Sequence, residues 1–72
     1  MTFCEAHQMW HIRGYIHARL RKDGTVTIFS GAYGGRNWCR TTGLSAERQP
    51  NGNPVWFPTL EAAELHYADK GS

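Results

Sequence analysis

The run Trp10-His11-Ile12-Arg13-Gly14-Tyr15-Ile16-His17-Ala18-Arg19-Leu20-Arg21 alternates between apolar and polar residues almost without a break. Trp10, Ile12, Ile16, Ala18 and Leu20 form one set, and His11, Arg13, Tyr15, His17, Arg19 and Arg21 form the other. A period of two belongs to a strand with one dry and one wet face, because a helix would scatter both sets around its circumference. The pattern predicts one strand over 10–21, its aliphatic set inward and its basic and aromatic set in water.

Lys22-Asp23-Gly24 then reads as a hairpin loop, and the hydrophobic pattern selects its register. A two-residue Asp23-Gly24 turn would set Arg19 beside Ile28. A three-residue loop with Gly24 left-handed pairs Arg21 with Thr25, Leu20 with Val26, Arg19 with Thr27, Ala18 with Ile28 and His17 with Phe29. Only the second keeps the apolar pairs on one face, so it is the expected register. The second strand then runs from Thr25 to Ser30. Gly31 to Gly35 reads as a glycine-rich loop, Arg36 to Thr42 as a third strand and Gly43 to Asn53 as a surface loop. Pro54 to Phe57 reads as a short edge strand.

Good helix formers fill Leu60 to Asp69, with Thr59 as N-cap and Glu61 against the positive end of the helix dipole. Leu60, Ala63 and Tyr67 share one stripe, and Lys70-Gly71 provides a stop. Met1 to Met9 fits either a short strand or a helical turn. The sum is a single α+β domain over 1–72: an antiparallel sheet of three to four strands with one C-terminal helix packed on one face.

Composition narrows the function. With 72 residues, the chain has room for a small core and no large cofactor domain. Hydrophobic residues at 40% and charged residues at 19% are too apolar and too weakly charged for a disordered chain. Two cysteines cannot build the several disulfides of small secreted scaffolds. No apolar run approaches the roughly 18 residues of a membrane span, and no signal-peptide pattern follows the opening Met. A complete cytoplasmic polypeptide is the expectation.

The net charge of +2 is unevenly spread. Up to Arg40 there are six basic residues against two acidic, or +4; from Thr41 onward two basic residues face four acidic ones, or −2. Such asymmetry gives one region a preference for a polyanion or an acidic partner. Within it, His11, Arg13, Tyr15, His17, Arg19, Arg21 and Phe29, with Trp38 and Arg40 beyond, are the candidate binding residues. Arginines hold phosphates and exposed rings stack on bases. Tyr, Trp and Arg are equally the anchors of protein interfaces. Trp56 joins the surface if Val55 and Phe57 face the helix.

Two other chemistries are weighed and set aside. Cys4, His7 and His11 form a Cys-x2-His-x3-His spacing with Cys39 further on, but a tetrahedral zinc site needs four ligands and no Cys-x2-Cys half-site is present. The bland alternative, a small buried cysteine and surface histidines, is expected instead, with no metal or cofactor. No nucleophile motif, orienting acid or phosphate-loop ending is found, so no catalytic residue is assigned and the protein is not expected to be an enzyme.

The ending Val55-Trp56-Phe57-Pro58-Thr59-Leu60-Glu61-Ala62-Ala63-Glu64-Leu65-His66-Tyr67 is similar to the last strand and helix of AP2-type DNA-binding domains. Those domains, like related arms of some phage integrases, lay a three-stranded sheet in the DNA major groove. The likeness covers about the last fifteen residues and the basic hairpin, and is one of architecture. It departs in the long insert from Gly31 to Asn53 and in lacking Gly-x-aromatic where Phe57-Pro58-Thr59 stands. The expected function is non-enzymatic binding of DNA or RNA through the hairpin face. The alternative is a small inhibitor or adaptor of the mobile-element or phage accessory kind, docking on a host protein. No membrane partner is expected, and a homodimer would bury more core than one copy can.

Overall fold

The chain turns back on itself at Gly14, in the middle of the run expected to be one strand. In the computed structural model, which describes residues 2–32 and 42–69, β1 is Thr2–Cys4, β2 Met9–Arg13, β3 Ile16–Leu20, β4 Val26–Ala32, β5 Thr42–Ala46, β6 Trp56–Phe57 and α1 Leu60–Asp69. Gly14 takes φ +53°, a left-handed conformation that a side chain disfavours, and with Tyr15 it forms a two-residue connection between paired Arg13 and Ile16.

The alternation hid this turn because a bulge compensates for it. A plain two-residue turn would pair residues of opposite sets all along the hairpin. The register instead shifts between His11 and Arg13, so that His11 pairs with His17 and Trp10 with Ala18. One extra residue at Ile12 restores the faces below it. Arg13, above the bulge, lies beside Ile16 and so on the aliphatic side. The long strand of the sequence reading is corrected to a bulged hairpin.

The next hairpin has the expected register. Arg19 pairs with Thr27, Leu20 with Val26, Ala18 with Ile28 and His17 with Phe29. The Arg21 amide donates to the Thr25 carbonyl at 2.8 Å, and Gly24 sits at φ +92°. Asp23 fixes the loop, accepting from the Thr25 amide at 3.0 Å and its hydroxyl at 2.6 Å. Those two bonds hold its carboxyl below the usual range.

Consecutive strands β1 to β5 pair antiparallel in order, and β6 lies on β4 beside the end of β5. Among the described residues the sheet has six strands, more than expected: Thr2–Cys4 joins it and the run over 10–21 supplies two. The segment expected as a loop over 43–53 begins as strand, since β5 runs to Ala46 and Arg48 forms a bridge to Pro54; the residues between Arg48 and Pro54 are the turn. Gly31 likewise belongs to β4, which also extends the second strand past Ser30. Most of the third strand expected at Arg36 to Thr42 lies outside the described residues.

The helix covers one face. Thr59 caps it as expected, its hydroxyl accepting from the Ala62 amide at 3.1 Å. Its stripe of Leu60, Ala63 and Tyr67 packs on β2, β3 and β6, where Ala18, Val26, Ile28 and Ala63 are sealed from water. Val55 and Phe57 join this layer, and the Ser30 hydroxyl donates to the Glu47 carboxylate at its margin. Burying Val26 and Ile28 contributes roughly 2 kcal/mol each, a large share for so small a domain.

The β3–β4 loop is a direct test of the hairpin. A methyl group at Gly24 would meet no atom within 4 Å, so a substitution there is opposed by backbone conformation alone. Gly24→Ala is expected to destabilise the domain by about 1 kcal/mol, lowering Tm by about 4–8 °C, with Gly24→Asn milder. An unchanged melting curve for Gly24→Ala would contradict the left-handed loop.

Candidate functional site

The face of the sheet away from the helix divides into a closed region and an open one. β3 supplies both, because His17 and Arg19 lie two residues apart on that side. His17 is sealed from solvent. Around it stand Cys4, also buried, and the rings of His7 and His11, whose centroids lie 5.0 and 5.2 Å from that of His17. Strand pairing brings them together: β1 and β2 set Thr2 opposite His11 and Cys4 opposite Met9, while His11 pairs with His17 and His17 with Phe29.

Hydrogen bonds in this cluster fix the tautomers. His11 Nε2 lies 2.6 Å from the Gly14 carbonyl, and a carbonyl only accepts, so that nitrogen carries the proton. His17 Nδ1 donates to the Tyr15 carbonyl at 3.3 Å by the same argument, and its Nε2 is buried. Burial is the main reason His17 is less basic than an ordinary histidine; repulsion from His11 and His7 adds to it, while the Tyr15 bond opposes.

Cys4 Sγ is 3.3 Å from His7 Nδ1. Thiol and imidazoles thus meet, yet among the described residues no three His, Cys, Asp or Glu side chains are grouped to hold a metal ion. The rings contact one another edge-on or tilted, and the protonated nitrogen of His11 is spent on Gly14.

The open region lies at the other end of β3. Arg19, Thr27 and Trp56 form one row across β3, β4 and β6, each paired with the next. Phe57 and Val55 turn to the helix, so Trp56 turns away from it and is 53% exposed. Arg19, Arg21 and Lys22 are exposed at the hairpin end, and with Leu20, Thr27 and Phe29 they line a depression. Arg48 pairs with Pro54, two residues before Trp56, which puts it on the same side by alternation. Asp23 is the acid at this end, and its carboxylate is engaged by Thr25.

The single outward surface expected from sequence is therefore corrected. Arg19 and Arg21 remain at the open end, with Phe29 half-buried beside them. His17 forms the closed cluster, and His11 is half-buried against it. Tyr15 is exposed at the turn, beyond the row. Arg13 lies on the helix side, where its guanidinium donates to the Ala68 carbonyl at 3.4 Å. Trp38 and Arg40 lie outside the described residues. Lys22 was not among the candidates, and Trp56 was expected at the surface on the condition that Val55 and Phe57 face the helix, which they do. No family model, curated protein or solved structure matches the chain.

The closed cluster makes stability depend on pH. With its basicity lowered, folded His17 binds fewer protons than the unfolded chain, whose histidines titrate near 6.5. Its contribution is fully present above that value and is lost as pH falls toward the lower folded value. The urea midpoint is expected to be level from pH 8 to about 7 and to fall toward about pH 5. The fall should shrink in His17→Leu; an identical pH profile in that variant would contradict the assignment.

Proposed function

We propose that the protein is a non-enzymatic nucleic-acid-binding protein, and that its contact surface is the open end of the sheet face opposite the helix. The observation that supports this is the row Arg19-Thr27-Trp56, with Arg21 and Lys22 at the adjoining hairpin. Guanidinium and ammonium groups attract phosphates and release their counterions, and an exposed indole offers a stacking platform. Arginine can also form bidentate bonds to phosphate. Solvation would account for the cations, and edge protection for those on an outer strand, but neither calls for a half-exposed tryptophan in register with them. The surface is small, so binding is of moderate strength and relies on charge for much of its affinity.

A second reading rests on a different place. Ile12, Arg13, Leu65 and Ala68 line a groove between β2 and the helix, bordered by Glu61 and Glu64, and Leu65 is 67% exposed. A groove of mixed charge with an aliphatic floor suits a protein segment, as the inhibitor or adaptor reading requires.

Titration of a fluorescent oligonucleotide by anisotropy separates the two. With Arg19, Arg21 and Lys22 on phosphates, the slope of log affinity against log salt should lie between about −2 and −3. Arg19→Glu should weaken binding at least about tenfold at low salt and make the slope shallower by about one. A slope near zero, or no binding at low salt, would refute the nucleic-acid reading.

A further inference from the structure

We infer that the ligand of the Arg19-Thr27-Trp56 face is a single strand, held by its phosphates and by the flat faces of its bases and not by base edges in a duplex groove. The inference rests on the nucleic-acid reading above and adds the strandedness of the ligand.

Three observations lead to it. The first is the indole of Trp56, 53% exposed on a sheet surface and turned away from the hydrophobic layer. Such a ring gains most from an unpaired base, because in a duplex both faces of each base are already stacked. The second is the distribution of charge. Arg19, Arg21 and Lys22 cluster at one hairpin end, with Arg48 on the far side of Trp56 in the strand order β3, β4, β6. Neighbouring strands are about 4.8 Å apart, so Arg19 and Trp56 are about 10 Å apart along the row. That span suits a strand that places a phosphate on the arginine and a nearby base on the indole. Three or four phosphate contacts are few beside the six to ten by which a duplex-binding protein gains its electrostatic affinity. Stacking must supply the remainder, at roughly five- to a hundredfold per base.

The third is chemical type. Between Arg19 and Trp56 the face carries Thr27 and, one pair along, Phe29. Duplex readout of adenine favours the amide of Asn or Gln, and neither stands in this row; Arg19 is the one side chain of the row able to read a base edge, that of guanine, and here it is assigned to phosphate with Arg21 and Lys22. A hydroxyl and rings distinguish bases poorly and sugars hardly at all. The recognition is therefore tolerant of sequence and indifferent to the 2′-hydroxyl.

The test uses the whole chain and three fluorescent probes at about 50 mM salt: an oligothymidylate of about twelve nucleotides, an oligouridylate of the same length and a duplex of matched length. The oligothymidylate should bind at least tenfold more tightly than the duplex, and the oligouridylate within about threefold of it. Trp56→Ala should cost the single strand about tenfold or more, whereas Trp56→Phe, which keeps an aromatic face, should stay within about threefold. Because Trp56 is largely outside the core, both variants should melt within a few degrees of the parent.

Equal or tighter duplex binding would overturn the single-strand assignment while leaving nucleic-acid binding intact. A preference above about threefold between the two single strands that persists when an oligodeoxyuridylate replaces the oligothymidylate would overturn indifference to the sugar. Unchanged binding by Trp56→Ala would remove the stacking platform. Binding of none of the probes would instead overturn the underlying reading of the face.

Discussion

His17 and Ala18 are neighbours in β3, point to opposite faces of the sheet, and are both sealed from water. Two successive strand residues can be buried only where each face has its own cover. Above Ala18 that cover is the helix, with Ala63 in the same buried layer. Above His17 it includes Cys4 and the His7 and His11 rings, carried there by the β1–β2 hairpin. Strand β3 is consequently the axis of the domain. The two covers are of different chemistry: one apolar, built of aliphatic side chains with Phe57 and Tyr67, the other polar, hydrogen-bonded and dependent on a neutral imidazole.

That division explains which parts of the structure were legible in the sequence. The β3–β4 register could be chosen because its competitor placed Arg19 beside Ile28, an error large enough to decide between two loop lengths. The helix was legible from Thr59 and from the stripe Leu60, Ala63, Tyr67, since cap and stripe are local features. The turn at Gly14 was not, because the bulge at Ile12 preserves the alternation on both sides of it. Period-two patterning reports which face a residue occupies and is silent on whether the strand has reversed. Gly14 was the available signal, and its meaning depended on a bulge that no local rule requires.

The closed cluster was illegible for another reason. Hydropathy places histidine at surfaces, and His17 belonged to the polar set by that criterion. Its burial follows from the His7 and His11 rings of the neighbouring β1–β2 hairpin packing against it, a tertiary event that overrides composition. The sequence did single out Cys4, His7 and His11 as a spacing, and these three do come together with His17. What spacing could not supply is the direction of each donor: the Gly14 carbonyl engages His11, the Tyr15 carbonyl engages His17, and each imidazole is thereby tied to backbone. The same two bonds brace the turn that closes the β2–β3 hairpin, so the polar cluster and the unexpected reversal of the chain are one feature.

The open end owes its composition to this arrangement. A chain of 72 residues has enough apolar surface for one well-made layer, and the helix takes it. With the His7 and His11 rings packed on His17 at the middle of the other face, three of the five described basic residues, Arg19, Arg21 and Lys22, stand at the β3–β4 tip. Alternation then leaves Arg19 outward because Ala18 and Leu20 turn toward the helix side, and leaves Trp56 outward because Val55 and Phe57 do. Arg19 is held outward by the burial of Ala18, and Trp56 by the packing of Val55 and Phe57 on the helix side. A surface built in this way is carried by paired strands, with Arg48 alone of its named cations tied back, to the Gly52 carbonyl at 3.0 Å among the described residues, so the ordering cost of binding falls on the long arginine and lysine side chains more than on the backbone.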